Sequence, residues 1–373
     1  MKVLALKNQL REGLEIAQRV ATKSPALPVL GNILLSAKGG EIQLAATDLQ
    51  MGITYQFLGT TQEGGRVVFD AHFLSSLLAI SSGERVSLAT EGKTLSITTG
   101  DHEATLKTVD EEEFPIIPSF QENDPFFEVE TKVFCDGLNQ VVGMTGQSQA
   151  RPEISGVFFR LDKKTARAVA TDSFRLAEYT IDLEQEVTGV EIIIPTRAVH
   201  ELVRILLVVT EVGAVTLVAS NNQVYFKMGD TDLVTRLIEA SYPDYKKVIP
   251  TSFVTEVVVS TEEIANALRM ASIFTTNQAN NVHFKIDDQE VRLTSAASQH
   301  GQEVTALTVE VMHHTEEKSF DVAFNTRYLL DAVNAAGGTK QVIKFSGPTS
   351  PAVVVNPDIP PYQHIVMPIR LNS

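Results

Sequence analysis

The chain of 373 residues contains a single cysteine, Cys135, and few positive charges for its size. One cysteine excludes an intrachain disulfide and a zinc site built on cysteines, and its apolar context predicts buried packing rather than nucleophilic chemistry. The 31 Lys and Arg residues are outnumbered by 46 Asp and Glu, so the net charge is −15. Affinity for nucleic acid that arises from overall charge needs the opposite balance, which excludes it for the chain as a whole.

Long hydrophobic runs are absent as well. The longest apolar stretch, 205–219, contains Glu211 and is shorter than the roughly 18 to 20 residues of a membrane span. The opening residues, MKVLALK, hold only four consecutive apolar side chains, fewer than a signal-peptide core requires. Together with the lone cysteine, these features favour a cytoplasmic protein with no membrane role.

Catalytic motifs are also missing. Gly92-Lys93-Thr94 resembles the end of a phosphate-binding loop, but Ser87 stands where that loop needs its first glycine. The histidines are dispersed, and the adjacent pair His313 and His314 would point to opposite faces of a strand. The sequence therefore predicts no enzyme, no metal and no cofactor. A hydrolase that uses scattered carboxylates or histidines stays open only because geometry is invisible in a sequence.

The informative feature that is present is a repeat with a long period. Pairs of alternating segments joined by a polar or glycine turn predict three β-hairpins, at 33–46, 157–170 and 282–293. The first residues of these hairpins, Ile33, Val157 and Val282, are separated by 124 and then by 125 residues. The second hairpin is expected to turn at 162–165.

Each repeat also predicts two amphipathic helices. The first helices are expected at 7–21, 132–146 and 261–275. The second helices follow a strand and a helix-starting residue within 67–80, 192–206 and 322–335. The face of the first helix that should pack on a sheet consists of Leu6, Leu10, Gly13, Leu14, Ala17, Val20 and Ala21. Its other face has a small positive excess, for which an ordinary solvated surface is the simplest interpretation.

A period near 125 residues is the length of a domain. The sequence therefore predicts an α+β fold of three tandem copies of one domain, each with two helices packed on antiparallel sheets. Proline-bearing segments at 111–125 and 241–253 mark the joints. The expected domains are an N-terminal repeat over 1–119, a middle repeat over 120–250 and a C-terminal repeat over 251–373.

Four segments resemble the bacterial sliding clamp family, the β subunits of DNA polymerase III: LPVLGNILL (27–35), VATDSFRLA (169–177), YPDYKKVIP (242–250) and IVMPIRL (365–371). This resemblance spans the whole chain. It implies a head-to-tail homodimer that closes into a six-domain ring, encircles double-stranded DNA without reading its sequence, and tethers the replicative polymerase as a processivity factor. The implied partners are the DNA polymerase III alpha subunit, the clamp-loader complex, and other polymerases and repair proteins with short clamp-binding motifs.

The resemblance also implies a pocket for the partner peptide. Its residues would be Ile154, Thr171, Phe174, Arg175, Leu176, Pro243, Val248, Val366, Met367, Pro368, Ile369 and Arg370. From the residues alone, packing of the last strand into the third domain is the favoured interpretation, whereas the resemblance favours the pocket. This chain departs from the family at Lys23-Ser24, where relatives often have arginine, at Phe174, which is often polar, and at Asn372-Ser373, which extend past the usual last leucine.

Two further sets of residues come from the resemblance. The DNA channel would be lined by Lys7, Arg11, Arg19, Lys23, Arg197, Arg204, Arg269 and Arg327. The dimer interface would include Leu106, Ile273 and Phe274, for which core packing is the other interpretation. A threaded ring needs little binding energy, which reconciles DNA as a partner with the acidic composition. The alternative function is a monomeric three-domain scaffold that binds peptides without touching DNA.

Overall fold

A computed structural model of the chain describes residues 1–119, 126–148, 150–209, 212–220, 222–275, 280–287, 289–295, 301–313, 315, 320–359 and 361–369. The chain forms two compact units, each built from two segments. Unit 1 comprises Met1–Cys135 and Arg197–Leu237, and unit 2 comprises Asp136–Thr196 and Ile238–Ser373. The middle repeat therefore contributes secondary structure to both units.

Strands and helices follow one another in a similar order in each repeat. The first repeat contains β1 (Lys2–Leu6), α1 (Lys7–Gln18), β2 (Ile33–Lys38), β3 (Glu41–Thr47), β4 (Met51–Leu58), β5 (Thr60–Glu63), β6 (Gly65–Phe69), α2 (Ala71–Ile80), β7 (Arg85–Glu91), β8 (Thr94–Thr99) and β9 (His102–Lys107). The second contains β10 (Phe127–Glu130), α3 (Thr131–Val142), β11 (Gly156–Thr171), β12 (Arg175–Pro195), α4 (Thr196–Val208), β13 (Ala214–Ala219), β14 (Gln223–Met228) and β15 (Thr231–Arg236). The third contains β16 (Thr255–Ser260), α5 (Thr261–Phe274), β17 (Asn281–Ile286), β18 (Glu290–Ser295), β19 (Val304–Thr308), β20 (Glu310–His313), β21 (Phe320–Asn325), α6 (Thr326–Ala336), β22 (Lys340–Phe345), β23 (Ala352–Val355), β24 (Tyr362–Val366) and β25 (Pro368–Ile369).

The strands form two sheets in each unit, and the pairings between described strands are antiparallel. Unit 1 has a five-stranded sheet, β5-β1-β7-β8-β9, and an eight-stranded sheet, β10-β13-β14-β15-β4-β3-β2-β6. Unit 2 has a seven-stranded sheet, β11-β12-β24-β23-β22-β16-β20, and a five-stranded sheet, β19-β18-β17-β21-β25. In the eight-stranded sheet β15 of the second repeat pairs with β4 of the first, and in the seven-stranded sheet β24 of the third repeat pairs with β12 of the second.

The predicted α+β class and the two helices per repeat are confirmed. Asp70 begins α2 by accepting a hydrogen bond from the amide of His72, at 2.9 Å. Asn325 begins α6 in the same way, accepting from Arg327 and Tyr328. These side chains satisfy backbone donors that a helix leaves unpaired at its start, which explains why the strand-to-helix transitions could be read from the sequence.

Two of the predicted hairpins are confirmed in register, and the third differs in detail. Leu35 lies opposite Leu44 in the first, and Phe284 lies opposite Leu293 in the third. In the second repeat β11 continues through 162–165, the predicted turn. The register against β12 shifts on both sides of Lys163, which has a φ of 55°. Because the irregularity is absorbed within one long strand, alternation alone could not distinguish it from a break.

In the first two repeats, the first helix packs closely on its sheet because a glycine faces a tyrosine ring. A Cβ on Gly137 of α3 would lie 2.7 Å from Cδ1 of Tyr179, and Gly13 of α1 faces Tyr55 in the same manner. Only a residue without a side chain allows this approach. The predicted apolar face of α1 is buried at Gly13 and its apolar neighbours, but Leu6, which lies in β1 before the helix, is exposed. The helix also ends at Gln18, three residues earlier than expected.

Candidate functional site

A tight turn in unit 2 connects β11 to β12 and presents Arg175. The Thr171 hydroxyl donates to the carbonyl of Arg175 at 2.6 Å, and the Asp172 carboxylate accepts from the amides of Phe174 and Arg175 at 2.9 and 3.0 Å. Ser173 has a φ of 80°, a left-handed conformation that is unfavourable for residues other than glycine. The Thr-Asp pair therefore gives this turn one defined shape.

Beyond the turn, the Arg175 side chain is held on three sides. Its Nε lies 3.0 Å from Oδ2 of Asp172, and its Nη1 lies 2.5 Å from Oδ2 of Asp331 on α6. The guanidinium also lies over the Tyr328 ring, 4.7 Å from the ring centroid, in the geometry of a cation–π contact. With only 10% of the side chain exposed, the charge of Arg175 is compensated and its position is fixed.

An apolar cluster lies beside Arg175 and forms the floor of the site. The cluster joins strands β11, β12, β23 and β24 to the segment after Leu237, and consists of Phe158, Val169, Leu176, Ile193, Tyr245, Val353 and Ile365. Burial of such side chains contributes about 1.5–3 kcal/mol each. The floor is therefore a rigid part of the core of unit 2.

Two tyrosines fix the segment 242–248 against this floor. The Tyr242 ring stacks on Phe158, with centroids 4.6 Å apart and planes inclined by 8°. The Tyr245 hydroxyl donates to Oε2 of the buried Glu178 at 2.6 Å, and Gln363 donates to Oε1 of the same carboxylate at 2.7 Å. Burial, followed by the bond to Glu178, raises the pKa of Tyr245 above its ordinary value, so the phenol remains a donor at physiological pH.

Between the turn, the floor and this segment lies a cavity of about 230 Å³. Six of the residues predicted for the peptide pocket line it: Thr171, Arg175, Leu176, Pro243, Val248 and Met367. The walls are mainly apolar, and the guanidinium at the edge is already compensated. Such a cavity suits apolar side chains of an extended segment better than a charged small molecule.

The other predicted pocket residues lie next to the cavity or outside the described residues. Ile154 and Val366 are buried in the core, and Phe174 is exposed, with its ring centroid 6.2 Å from that of Tyr328. Pro368 and Ile369 form β25, which pairs with β21, and both residues are half-buried. Arg370 lies outside the described residues.

Sequence reasoning missed five residues that also line the cavity: Arg151, Ser173, Asp244, Tyr245 and Ile365. Arg151 donates to the Ser173 hydroxyl at 2.6 Å and pairs with Glu153 at 3.0 Å, contacts that depend on the folded loop. Ile365 could have been predicted, because residues two apart in an extended segment, such as Ile365 and Met367, lie on the same face.

A neutral histidine lies behind Arg175. His364 is fully buried in β24, and its Nδ1 lies 2.8 Å from the hydroxyl of Tyr362. Burial, together with the nearby charge of Arg175, lowers the pKa of His364 to about 3. The imidazole is therefore uncharged at neutral pH and packs as a core residue.

The predicted channel residues lie at the surface, with Lys7 half-buried. Several have nearby acceptors. Lys7 donates to the carbonyl of Ser81 at 2.7 Å, and Arg197 lies 2.5 Å from Oδ2 of Asp48. Arg204 pairs with Glu201 at 2.6 Å, and Arg11 with Glu15 at 3.7 Å. These acids reduce the local positive charge. For Arg19, Lys23, Arg269 and Arg327, no carboxylate among the described residues lies within 4.0 Å.

The predicted interface residues lie at strand and helix ends. Leu106 is half-buried on β9, an edge strand of its sheet. Ile273 is 68% exposed on the last turn of α5, and Phe274 beside it is half-buried. The other five-stranded sheet also has an outer strand, β19, at its edge.

Within the described ranges, no group of three or more His, Cys, Asp and Glu side chains is arranged to hold a metal ion. None of the described helices is long and apolar enough to span a bilayer. Cys135 is buried, as predicted.

Comparison with known proteins matches all three repeats. Residues 1–118, 128–244 and 246–370 match the N-terminal, central and C-terminal domains of the DNA polymerase III beta subunit. The beta sliding clamp of Synechococcus elongatus is 26% identical over 381 residues, with 100% of both chains covered, and that of Haemophilus influenzae is 28% identical over 358 residues, covering 94% of this chain and 95% of the relative. The crystal structure of the DNA polymerase III beta subunit from Thermotoga maritima superposes with a TM-score of 0.91 and 27% identity, and covers 100% of both chains.

The repeats and the joined sheets define a clamp fold, and the chain belongs to the DNA polymerase III beta subunit family. Its curated relatives carry the name beta sliding clamp, and the three family matches support the same function for this chain. Both the fold class and the function expected from the resemblance are thereby confirmed.

Proposed function

We propose that two copies of this chain join head to tail into a ring around duplex DNA, and that the unit 2 cavity docks the polymerase and other DNA-processing proteins. The observation that carries the proposal is a repeated joint within the chain. β15 of the second repeat pairs with β4 of the first, and β24 of the third pairs with β12 of the second. In both joints the last strand of one repeat pairs with β4, or with the strand equivalent to β4, of the preceding repeat. Among the described strands, the last strand of the first repeat, β9, and the equivalent of β4 in the third repeat, β19, have no such partner.

The internal joints also predict the register of the joint between subunits. Thr231 lies opposite Tyr55 in β15 and β4. His102 begins β9 after the same Gly-Asp turn that precedes Thr231, and Thr305 pairs with Leu293 as Tyr55 pairs with Leu44. We therefore expect His102 to lie opposite Thr305 of the partner subunit. Closing both edges in this way removes strand edges that would otherwise favour aggregation.

Exposed apolar stripes on two helices support the same joint. Phe73, Leu77 and Ile80 of α2 follow helical spacing, and Phe73 and Ile80 are 61% and 83% exposed. The equivalent residues of α4, which are Ala198, Leu202 and Ile205, are buried within unit 1. Burial against α5 of a second copy, at Ile273 and its exposed neighbour Met270, would give the α2 stripe the same environment.

The pocket would bind an extended segment with two or three apolar side chains. Each would contribute about 1.5–3 kcal/mol, less several kcal/mol for association and ordering, which gives roughly micromolar affinity. Affinity in this range lets successive partners exchange. We assign the pocket to all twelve residues expected from the family, the channel to the eight basic residues, and the interface to Leu106, Ile273 and Phe274.

We place the three domains at 1–119, 120–250 and 251–373, since each holds one hairpin and two helices. The protein would catalyse no reaction and would need a separate ATP-driven loader to open. The acidic chain, with a single buried cysteine, suits a cytoplasmic protein.

Retention on DNA tests the ring. The protein is loaded onto nicked circular DNA in salt, and the circle is then cut with a restriction enzyme. We expect retention before the cut and rapid loss after it, because a free end lets a threaded ring slide off. Equal retention would contradict threading. A solution mass near 40.8 kDa, rather than twice that value, would instead favour the monomeric scaffold.

Cysteine cross-linking tests the register. His102→Cys combined with Thr305→Cys should form a covalent dimer on mild oxidation, whereas His102→Cys alone and His102→Cys with Leu307→Cys serve as unpaired and off-register controls. Arg175→Ala tests the pocket separately. It should weaken polymerase binding and leave the dimer intact; a dissociated dimer would mean that Arg175 is structural.

A further inference from the structure

Unit 1 contains a second turn with the same geometry as the turn that presents Arg175. Thr47 donates to the carbonyl of Met51 at 2.8 Å, as Thr171 does to Arg175. Asp48 accepts from the amides of Gln50 and Met51 at 3.0 and 2.7 Å. Leu49 has a φ of 73°, close to the 80° of Ser173, its equivalent. The shared Thr-Asp pair explains why both turns adopt this unfavourable conformation.

The strand that crosses each turn is also equivalent. The amide of Arg236 donates to the carbonyl of Gln50 at 2.9 Å, and the amide of Met367 donates to Phe174 at the same distance. Arg236 therefore occupies the position that Met367 holds beside the unit 2 pocket. A proline-bearing segment lies across both places, with Pro115 in unit 1 and Pro243 in unit 2.

The unit 1 turn borders an open cleft. A cavity of about 120 Å³ is lined by the turn, by Pro115 and Ile116, and by Arg236. It shares Pro115, Ile116, Pro118 and Val234 with a larger cavity of about 380 Å³. Gly52 permits the close approach of Ile117, since a Cβ there would lie 2.6 Å from Ile117 Cγ2. Ile116 is 94% exposed at the rim.

The charge of this cleft differs from that of the unit 2 pocket. Arg66 and Lys227 line the large cavity and Arg236 lines the small one, while Asp232 is the only carboxylate among the described lining residues. Burial raises the pKa of Asp232, and Lys227 opposes this rise. Because the guanidinium of Arg236 is exposed, it can pair with a carboxylate of a bound peptide, whereas Arg175 is already paired with two carboxylates of the protein.

We propose that the cleft of unit 1, at the 47–51 turn, is a second peptide-docking site that binds an extended acidic segment with an apolar side chain next to a carboxylate. The apolar side chain would lie against Ile116 and Pro118, and the carboxylate would pair with Arg236. An acidic partner is favoured because this cleft has three cations to one anion on a chain of net charge −15. The inference rests on the proposed function in taking the equivalent unit 2 pocket as a peptide site.

The test separates the two sites by variant. The probe is the fluorescein-labelled, C-terminally amidated peptide Asp-Leu-Phe-Asp-Leu, and its neutral counterpart is Asn-Leu-Phe-Asn-Leu. In the Arg175→Ala background we expect saturable binding of the acidic probe, with the neutral probe about tenfold weaker. Adding Arg236→Glu should weaken the acidic probe about tenfold or more. Lys93→Glu, an equal charge change on an exposed turn of unit 1, is the control and should have no effect.

Ile116→Glu is a second variant, which changes an exposed side chain and should not disturb folding. It should also weaken the acidic probe. Absence of saturable binding in the Arg175→Ala background, or binding that is indifferent to both Arg236→Glu and Ile116→Glu, would overturn the inference. Binding at the unit 2 pocket is measured separately, as the peptide binding that the full-length protein loses in the Arg175→Ala variant. Either proposal can therefore fail without the other.

Discussion

Nη1 of Arg175 and Oδ2 of Asp331 lie 2.5 Å apart, although 156 residues separate them in the chain. The pair joins the turn between β11 and β12 to helix α6. Asp172 holds the other side of the same guanidinium, and Tyr328 lies beneath its plane. In the proposed pocket, Arg175 would therefore form a fixed, electrically compensated wall, and we expect the pocket to prefer neutral apolar segments.

Replacing Asp331 by Asn should change that preference. The variant Asp331→Asn keeps the shape of the side chain but leaves Arg175 with one carboxylate, so we expect acidic peptides to bind several-fold more tightly and neutral ones slightly more weakly. Fluorescence anisotropy with matched acidic and neutral peptides measures both effects. Asp321→Asn, on the exposed side of β21, is the control. Unchanged selectivity would show that Asp331 does not set the charge of the pocket.

Gly137 should be intolerant of a side chain. Gly137→Ala would place a Cβ 2.7 Å from the Tyr179 ring, and we expect a loss of about 1–3 kcal/mol in the free energy of unfolding. Urea denaturation followed by circular dichroism measures it. Gly143→Ala is a matched control, because no atom lies within 4 Å of a Cβ at that position. Equal stability of the two variants would mean that α3 shifts freely on its sheet.

His364 should make the protein less stable in mild acid. Its pKa is about 3 in the folded protein against 6.5 when unperturbed, so the unfolded chain binds a proton that the folded chain excludes. This difference in proton binding costs no stability well above about pH 6.5. Below that pH, the free energy of unfolding declines by roughly 1.4 kcal/mol per pH unit as pH falls toward 3. Urea midpoints between pH 7 and 4.5 measure the slope, which His364→Gln should reduce and His200→Gln, at an exposed position of α4, should not. A slope unchanged in His364→Gln would assign the acid sensitivity to other groups.

The apolar stripe of α2 should be needed for assembly but not for folding. Phe73→Asp introduces a charge where the proposed joint buries apolar surface, so we expect a monomer at concentrations at which the parent protein is a dimer. Sedimentation equilibrium measures the mass, and circular dichroism verifies the fold. Leu58→Asp, at a 73% exposed apolar position of β4, is the control. A dimer that survives Phe73→Asp would place the joint elsewhere.

Local patterns predicted the parts of this fold that depend on neighbouring residues. The hairpins at Ile33 and Val282 followed from alternation, and α2 and α6 from their capping residues Asp70 and Asn325. A turn was predicted around Lys163 where the structure has a register shift within a long strand, because such a shift has no characteristic amino-acid composition.

Contacts between distant segments were beyond sequence reasoning. The pairing of Arg197 with Asp48 spans 149 residues, and that of Tyr245 with Glu178 spans 67. No spacing rule connects such positions. The second turn is a different case, since Thr47-Asp48 and Thr171-Asp172 stand at the same place in two repeats and could have been compared in the sequence alone.

The division of the middle repeat has a consequence for any attempt to dissect the protein. Its strands β13 to β15 complete the sheet of unit 1, and β11 and β12 begin a sheet of unit 2. A fragment that comprises residues 120–250 would lack the strands β4 and β24, with which its own strands β15 and β12 pair. Such a fragment should aggregate or be proteolysed rather than fold. Truncated variants of this protein should therefore retain both strands of each inter-repeat pairing, rather than end at the repeat boundaries.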